Sequence, residues 1–340
     1  MKAFDLQPSN LNNPDLYIEK RTVVDTETGE LFPQALIIAE PDKVVITKKA
    51  TFQSRKDFLE RKNRKGVFEE LAEGFTFTYI SKISELHEDE RFTDDEKTRI
   101  MFLGTYVSYS KKGSFLTFSN GRLIYKHNLK TLLEISSDNK FYSFYNKLVE
   151  TGIITEVPEG SIKKLKWSNE YHFKGKLPKG SEGEASYIKT YDKQIQELYK
   201  AKNSKEKALH SPKQLYTVFM LLPFVHYETN LICKFPNKPF TECEPLDLNE
   251  LAKGLGFNRS NDLKRKLMKI SLKEQPVFQF NITNKGTHIT VNPFIVWRQN
   301  KLPDDALLVT FFDTARRIAE GKGIKITMKD LIKINSPTRD

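Results

Sequence analysis

The feature that most constrains this chain is a weak internal repeat. The segment MFLGTYVSYSKKGSFLTFSN, which begins at Met101, aligns with FMLLPFVHYETNLICKFPN, which begins at Phe219, so that Tyr109 falls on Tyr227. Further matches follow in the same order: NLKTLLEIS with DLNELAKGL, KWSNEYHFKGK with ITVNPFIVWRQ, and SYIKTYDKQIQELYK with LLVTFFDTARRIAEG. Because the order is kept and the offset drifts only between about 117 and 123 residues, we interpret the chain as two copies of one domain, each followed by a helix.

The repeat also defines the predicted domain boundaries. A chain of 340 residues is too long for one compact core and favours two or three domains. We expect an N-terminal extension, a first copy, a linker helix, a second copy and a C-terminal helical segment, over 1–92, 93–176, 177–212, 213–301 and 302–340.

The excess positive charge coincides with the two copies. Lys and Arg number 55 and Asp and Glu number 44, so the formal net charge is +11. The first copy has 14 basic and 9 acidic side chains and the second has 13 and 7, while the remainder of the chain is neutral. Basicity that belongs to folded modules rather than to a tail indicates a polyanionic partner, most simply a nucleic acid.

Each copy has the element order of a winged helix-turn-helix. In the first, Thr93 and Glu96 are spaced as a helix N-cap and its N3 partner, ahead of an apolar-periodic segment that reaches Tyr109. A short helix, a brief break, a longer helix and a β-hairpin follow, over 128–134, 139–150 and 153–173. The second copy repeats them over 248–253, 259–270 and 277–291. We therefore predict an α+β, mainly helical fold of two tandem winged helix-turn-helix domains behind a small β-containing N-terminal extension.

The amino-acid sequences of several segments resemble those of RepL-type proteins. These segments are VVDTETGEL, FTFTYISKISEL, an aromatic-rich second helix and a closing SNEYHFKGK. The resemblance covers roughly residues 21–200, and the second copy only as a degenerate repeat. It implies a winged-helix protein of a plasmid or phage of low-GC Gram-positive bacteria, which binds DNA in replication initiation or regulation. Two tandem copies also look like iteron-binding plasmid initiators, in which one domain reads the origin and the other serves dimerisation or flanking contacts.

The second copy offers the more basic candidate DNA-reading helix, RSNDLKRKLMKI. Leu263, Leu267 and Ile270 recur at helical spacing and are expected to face inward. The outward side chains then include an Arg that matches guanine with its fork and an Asn that matches adenine. We predict DNA contacts from Arg259, Asn261, Lys264 and Arg265; the alternative is a solvated basic helix face.

The corresponding helix of the first copy, FYSFYNKLV, is short of basic residues, which departs from the resemblance. Its outward set is predicted to be Asn139, Lys140, Ser143, Asn146 and Lys147. These side chains read bases, contact phosphates or pair with a protein. Tyr142 and Tyr145 stack or pack, and we expect at least one of them in the core.

Lysines near the hairpin tips are placed for phosphates, which position a protein on DNA without reading its sequence. In the first copy these are Lys163, Lys164 and Lys166, and in the second Lys285, accompanied by His288. Exposed lysines are common on any hairpin, so solvated side chains are the alternative. A further basic run over 54–66 serves either as an arm that touches DNA backbone or as a solvated linker.

Catalytic and metal-binding patterns are absent from the sequence. The histidines form neither HxH nor HExxH, Cys233 and Cys243 fit no common zinc spacing, and GKGIK near Gly321 is not a phosphate-cradling loop. We therefore expect no enzyme activity, no cofactor and no metal, with buried or inert thiols. There is no run of eighteen apolar residues and no apolar N-terminal stretch, and two cysteines fit a reducing compartment, so a cytoplasmic protein without a membrane partner is expected.

These observations predict a sequence-specific binder of double-stranded DNA from a phage or plasmid, acting in replication initiation at an origin. The alternatives are a DNA-binding transcriptional regulator and a protein-interaction module built on winged helices. The helices predicted after each copy, Ser186–Lys200 and Leu307–Ala319, are candidate contacts for a homodimer or for a replisome or transcription partner. Their alternative role is to pack against their own domain.

Overall fold

A computed structural model describes residues 17–24, 31–40, 43–48, 74–109, 114–175, 187–272, 275–299 and 302–331. The chain divides into two compact units, Met1–Phe68 and Glu69–Asp340. The basic run over 54–66 lies outside the described residues.

The first unit contains one antiparallel sheet. Its strands are β1 Tyr17–Val24, β2 Leu31–Glu40 and β3 Lys43–Lys48, in the order β1-β2-β3. β1 and β2 shift register between Arg21 and Val23, where the ladder carries a bulge.

The described part of the second unit mixes helices with short strands. Its helices are α1 Ile80–Glu88, α2 Asp94–Gly104, α3 Lys126–Leu132, α4 Asp138–Glu150, α5 Asp192–Lys200, α6 Pro212–Leu221, α7 Leu248–Gly254, α8 Ser260–Met268, α9 Asp305–Thr310, α10 Phe312–Glu320 and α11 Met328–Leu331. Its strands are β4 Phe75–Tyr79, β5 Ser114–Phe115, β6 Ile154–Glu159, β7 Ile162–Trp167, β8 His172–Phe173, β9 Tyr187–Tyr191, β10 Ser271–Leu272, β11 Gln275–Pro276, β12 Phe278–Thr283, β13 Gly286–Val291 and β14 Val296–Trp297.

Capping residues explain where several helices begin. The capping box predicted at the start of α2 is confirmed, since Thr93 Oγ1 accepts from the N–H of Glu96 and the Glu96 carboxylate accepts from the N–H of Thr93. Ser137 caps α4, and Asp247 caps α7 in the same reciprocal way with Glu250. The helix at α2 ends at Gly104, however, five residues before the predicted end at Tyr109.

The two copies share a local order of elements. In each, two helices (α3 and α4, or α7 and α8) precede an antiparallel hairpin (β6–β7, or β12–β13). The copies pack through their leading helices, α2 and α6, where Thr98 Oγ1 donates a hydrogen bond to the carbonyl of Pro212 at 2.7 Å. Beside it, His87 Nδ1 and the hydroxyl of Tyr216 are 3.0 Å apart. The copies therefore lie in one compact unit.

The predicted fold class is wrong, because the described chain is a mixed α/β structure with five small antiparallel sheets rather than two tandem winged-helix domains. One sheet, in the order β14-β9-β4-β8, takes strands from before the first copy, from its end, from the predicted linker and from the end of the second copy. Phe77, for example, pairs with Phe173 on one side and with Lys189 on the other. This sharing of strands merges the parts that the repeat separates.

The elements after each copy also differ from their predictions. Over Ser186–Lys200, the described part is not one helix: residues 187–191 form β9, which pairs with β4 and β14, and α5 begins only at Asp192. Leu307–Ala319 is broken at Phe311, between α9 and α10. The hairpin predicted over 153–173 likewise ends at Trp167, since His172 and Phe173 join the four-stranded sheet. Partner strands distant in sequence redirect the first and the third of these segments, whereas the second stays helical on both sides of Phe311.

Candidate nucleic-acid interface

The helix α8 presents one apolar and one polar face. Leu263, Leu267 and Ile270 are buried as predicted. Residues on the opposite side, together with the N-cap residue, are exposed and include Arg259, Asn261, Arg265, Met268 and Lys269. This separation at helical spacing leaves a mainly polar surface, which also carries Met268, on a helix wide enough to fill the DNA major groove.

The predicted DNA-contacting residues of the second copy lie on or beside this surface. Arg265 pairs with Asp262 one turn earlier on α8, and its side chain remains 74% exposed. Lys264 is half-buried, with Nζ 5.7 Å from the ring centroid of Phe280 on β12. Among the described residues, Arg259, Lys264 and Lys285 form no ion pair, so their charges are available to an anion.

The hairpin β12–β13 is fixed against the start of α7. The Asp247 carboxylate accepts a hydrogen bond from the N–H of Thr287 at 2.9 Å, while it also caps α7 through Asn249. Nearby, His288 Nδ1 lies 3.3 Å from the carbonyl of Leu246. The turn that carries Lys285 is thereby held in a defined position beside the start of α7.

In the first copy, α4 has a similar amphipathic pattern with different chemistry. Tyr145 is buried, as expected for at least one of the two tyrosines, whereas Tyr142 is 51% exposed. The predicted outward residues Asn139, Lys140, Ser143 and Asn146 are exposed. Lys147 instead turns toward α2 and pairs with Glu96 at 2.9 Å.

The first hairpin neutralises two of its own lysines. Lys163 pairs with Glu156 and Lys164 with Glu159, while Lys166 is exposed. The hydroxyl of Tyr145 donates to Glu156 at 2.6 Å. The hydrogen bonds from Lys163 and Tyr145 hold the pKa of Glu156 below its ordinary value, so the carboxylate stays charged against the lysine.

Acidic side chains face the exposed part of α4. A cleft of about 640 Å³ is lined on one side by Asn139, Lys140 and Ser143, and on another by the first turn of α2, with Asp94 and Asp95. Arg99 and Lys213 also line this cleft, so an approaching phosphate backbone meets the carboxylates together with three cations, Arg99, Lys140 and Lys213. Among the predicted DNA-contacting residues, the first copy therefore offers a polyanion fewer unpaired cations than the second.

Comparison with known proteins returns no match. No protein-family model, no curated protein and no solved structure matches the chain. The resemblance to RepL-type proteins remains a prediction.

Other candidate chemistry can be placed in the structure. Among the described residues no group of three or more His, Cys, Asp or Glu side chains is arranged to hold a metal ion, and no helix there is long and apolar enough to cross a membrane. Cys233 is buried and Cys243 is half-buried. Burial raises the pKa of Cys233 to about 12, which keeps it a thiol at neutral pH.

Sequence reasoning missed the difference in pairing between the two hairpins. The signal was present, since the first hairpin has Glu156 and Glu159 where the second has Phe280 and Thr283 in the corresponding strand positions. It also missed a buried ion pair, in which Lys174 and Asp192 lie 2.6 Å apart. These two residues are distant in sequence, so no local pattern indicates their contact.

Proposed function

We propose that the protein binds double-stranded DNA through the basic face of its second copy, formed by Arg259, Asn261, Lys264, Arg265 and Lys285. The observation that carries this proposal is the contrast in pairing. Three lysines of the first copy, Lys147, Lys163 and Lys164, are paired with Glu96, Glu156 and Glu159, whereas most cations of the basic face have no acidic partner among the described residues. Unpaired cations release counterions when they meet phosphates.

The geometry of the basic face supports a division of labour. The outward side of α8 enters the major groove, where the Arg265 fork is suited to guanine and the Asn261 amide to adenine. Arg259 stands at the N-cap of α8, where helix amides favour a phosphate, and Lys285 lies on the hairpin turn. Base contacts then determine the sequence preference, while Arg259 and Lys285 contact phosphates and so fix the position of the protein on the duplex.

The biological role that we propose is origin binding in phage or plasmid replication, in the cytoplasm. It rests on the resemblance to RepL-type proteins. A transcriptional regulator uses the same contacts, and a footprint inside an origin or over a promoter separates the two roles.

Duplex binding is tested by titrating the full chain against a random duplex and against a duplex selected from a random pool, at several salt concentrations. The expected affinity falls as salt rises, with a linear dependence on the logarithm of the salt concentration. Arg265→Ala should weaken binding to the selected duplex by about 1–3 kcal/mol and leave random duplex nearly unaffected. Affinity that is absent or indifferent to salt contradicts the proposal.

A second candidate function, binding to another protein, is favoured by the exposed apolar side chains of α4. Tyr142 and Val149 are 51% and 38% exposed on a helix whose Lys147 is already paired. Tyr142→Ser should then weaken self-association or partner capture, measured by sedimentation, and leave DNA affinity unchanged. A loss of DNA affinity instead assigns α4 to the DNA.

A further inference from the structure

A cleft of about 740 Å³ opens between the segment that follows α2 and the first turns of α5. Ligand cavities measure about 300–1,000 Å³ and combine apolar or aromatic walls with a few converging polar groups. None of the predicted DNA-contacting residues lines this cleft. We refer to it as the aromatic cleft, and the side chains that determine its chemistry are Tyr106, Tyr109, Phe118, Lys174, Asp192 and Gln196.

Aromatic rings form the walls of the aromatic cleft. Tyr106 is buried and packs edge to face against Phe118, with the ring centroids 6.4 Å apart. Tyr109 is 65% exposed, the largest exposed fraction of any phenylalanine, tyrosine or tryptophan among the described residues. An exposed ring on the lining of a cleft offers an aromatic face on which a planar ligand stacks.

The ammonium of Lys174 supplies a hydrogen-bond donor to the aromatic cleft. Two of its three N–H groups are used, since Nζ lies 2.6 Å from the Asp192 carboxylate and donates to the carbonyl of Thr105 at 3.0 Å. The third has no acceptor among the described residues. Because Nζ lies 5.9 Å from the ring centroid of Tyr109, it is within reach of the edge of a ring stacked there.

Gln196 supplies an acceptor beside this donor. The hydroxyl of Thr105 donates its single proton to the carbonyl of Phe102 at 2.7 Å, so the hydroxyl oxygen accepts from Gln196 Nε2 at 2.9 Å. These bonds orient the carboxamide and leave Gln196 Oε1 as an acceptor for a ligand. Because Lys174 and Gln196 both bond to Thr105, the donor and the acceptor lie side by side.

The second copy does not have this pair of polar groups. In the repeat, Thr105 aligns with Pro223, which has no side-chain hydroxyl, and Lys174 aligns with Trp297, which has no charge. Trp297 is also buried. The polar groups of the aromatic cleft are therefore specific to the first copy.

We propose that the aromatic cleft binds an unpaired nucleobase that has a ring carbonyl next to a ring N–H, as thymine, uracil and guanine do. The base stacks on Tyr109, its carbonyl accepts from Lys174, and its N–H donates to Gln196 Oε1. Adenine and cytosine do not have this combination of groups. In a duplex the complementary base occupies the same edge, so the ligand is a free nucleotide or a base of an unpaired strand.

The test uses thymidine 5′-monophosphate and two analogues, each of which changes one predicted contact. The 3-methyl analogue loses the ring N–H, and the 5,6-dihydro analogue loses the planar ring but keeps the carbonyl and the N–H. Binding is measured by calorimetry with the full-length wild type, Tyr109→Ala, Gln196→Ala and the matched control Tyr142→Ala, which removes an exposed tyrosine of α4. Lys174 is left intact, since its ion pair with Asp192 is nearly buried.

The wild type and Tyr142→Ala should bind thymidine monophosphate and should bind each analogue about tenfold more weakly. Tyr109→Ala should weaken binding of thymidine monophosphate by a similar factor. Gln196→Ala should bind thymidine monophosphate and its 3-methyl analogue equally. The proposal is overturned if the wild type shows no saturable binding, does not distinguish the 3-methyl analogue, or binds no more tightly than Tyr109→Ala.

An oligothymidylate of about ten nucleotides distinguishes the two sources of the base. Affinity at least about tenfold above that of the monophosphate, and lost in Tyr109→Ala, assigns the cleft to an unpaired strand. Equal affinity per base assigns it to a free nucleotide, and oligothymidylate binding that Tyr109→Ala leaves unchanged contradicts the strand as the source. None of these measurements uses a duplex, so failure of the proposed function and failure of this inference are separate results.

Discussion

The carboxylate of Asp247 accepts a hydrogen bond from the backbone N–H of Thr287 at 2.9 Å, which ties the first turn of α7 to the tip of the second hairpin. The approach is close because Gly286, beside Thr287, has no side chain. A Cβ at Gly286 would overlap the Asp247 carboxylate, and the backbone there has φ +126°. The glycine therefore permits the contact that positions the hairpin.

Gly286→Ala should destabilise the protein by about 1–3 kcal/mol, because it combines backbone strain with this overlap. The matched control is Gly160→Ala at the tip of the first hairpin, where φ is +61° and nothing lies within 4 Å of the added atom. Urea unfolding should show a smaller loss for the control. Equal losses would mean that Asp247 does not constrain the hairpin tip.

His172 makes stability depend on pH. Burial lowers the pKa of His172 to about 3, and neither ring nitrogen has a hydrogen-bond partner among the described residues. Because the unfolded histidine has a pKa near 6.5, the unfolded chain binds more protons than the folded chain between pH 3 and 6.5. The free energy of unfolding should therefore decrease as the pH is lowered through this window, by up to about 1.4 kcal/mol per pH unit.

His172→Leu removes the titrating ring. Between pH 6.5 and 4, the variant should lose less stability than the wild type in urea unfolding. Parallel pH profiles for the two proteins would show that the ring is not buried in its neutral form.

The ring of His172 also occupies the space beside Gly104 on α2. A Cβ at Gly104 would overlap the imidazole, so Gly104→Ala should destabilise the folded state by about 1–3 kcal/mol through overpacking. In a His172→Ala background, the same change should be neutral or stabilising, since alanine favours a helix over glycine by about 1 kcal/mol. A double-mutant cycle measures this coupling, and additive effects would contradict the contact.

The local elements were predictable wherever the signals lay close together in sequence. The Thr93 capping box and the apolar spacing of Leu263 and Leu267 are confirmed because each depends on residues within a few positions. The assembly of the strands was not, because β4 pairs with β8 and β9 across about a hundred residues. Short strands of two to five residues carry too little pattern to reveal such partners.

The ion pair between Lys174 and Asp192 should be costly to break. Both side chains are nearly buried, and Asp192 also accepts from the hydroxyl of Thr76 at 2.6 Å. Lys174→Met leaves a buried carboxylate uncompensated and should cost about 3–5 kcal/mol near neutral pH. The matched control is Lys163→Met, at the exposed pair with Glu156, which should cost less than about 1 kcal/mol.

The same variant should show a characteristic pH response. Burial raises the pKa of Asp192, and Lys174 opposes this shift, so removing the lysine raises the pKa further. The variant carboxyl then binds a proton more readily in the folded than in the unfolded state. Its stability deficit relative to the wild type should shrink as the pH falls from 7 toward 4, and a constant deficit contradicts the explanation.

The residue types of the candidate site could be predicted from the sequence, but which of its cations lack an acidic partner could not. Lys285 is predicted as a DNA contact on the same grounds as Lys163 and Lys164, its place near a hairpin tip, and Arg259 is predicted from its place on a basic helix. These grounds are charge and position, because a sequence shows charges and not their partners. The structure distinguishes these residues, since Glu156 and Glu159 form ion pairs with Lys163 and Lys164 and not with Arg259 or Lys285. Cross-strand register decides this difference.

This separation is tested most directly by salt titrations of duplex binding for two double variants. Arg259→Ala with Lys285→Ala should lower affinity at least tenfold and reduce the salt slope by about two, one for each lost phosphate contact. Lys163→Ala with Lys164→Ala should leave both quantities nearly unchanged. Equal losses for the two variants, or a larger loss for the second, would contradict the assignment of DNA binding to the second copy.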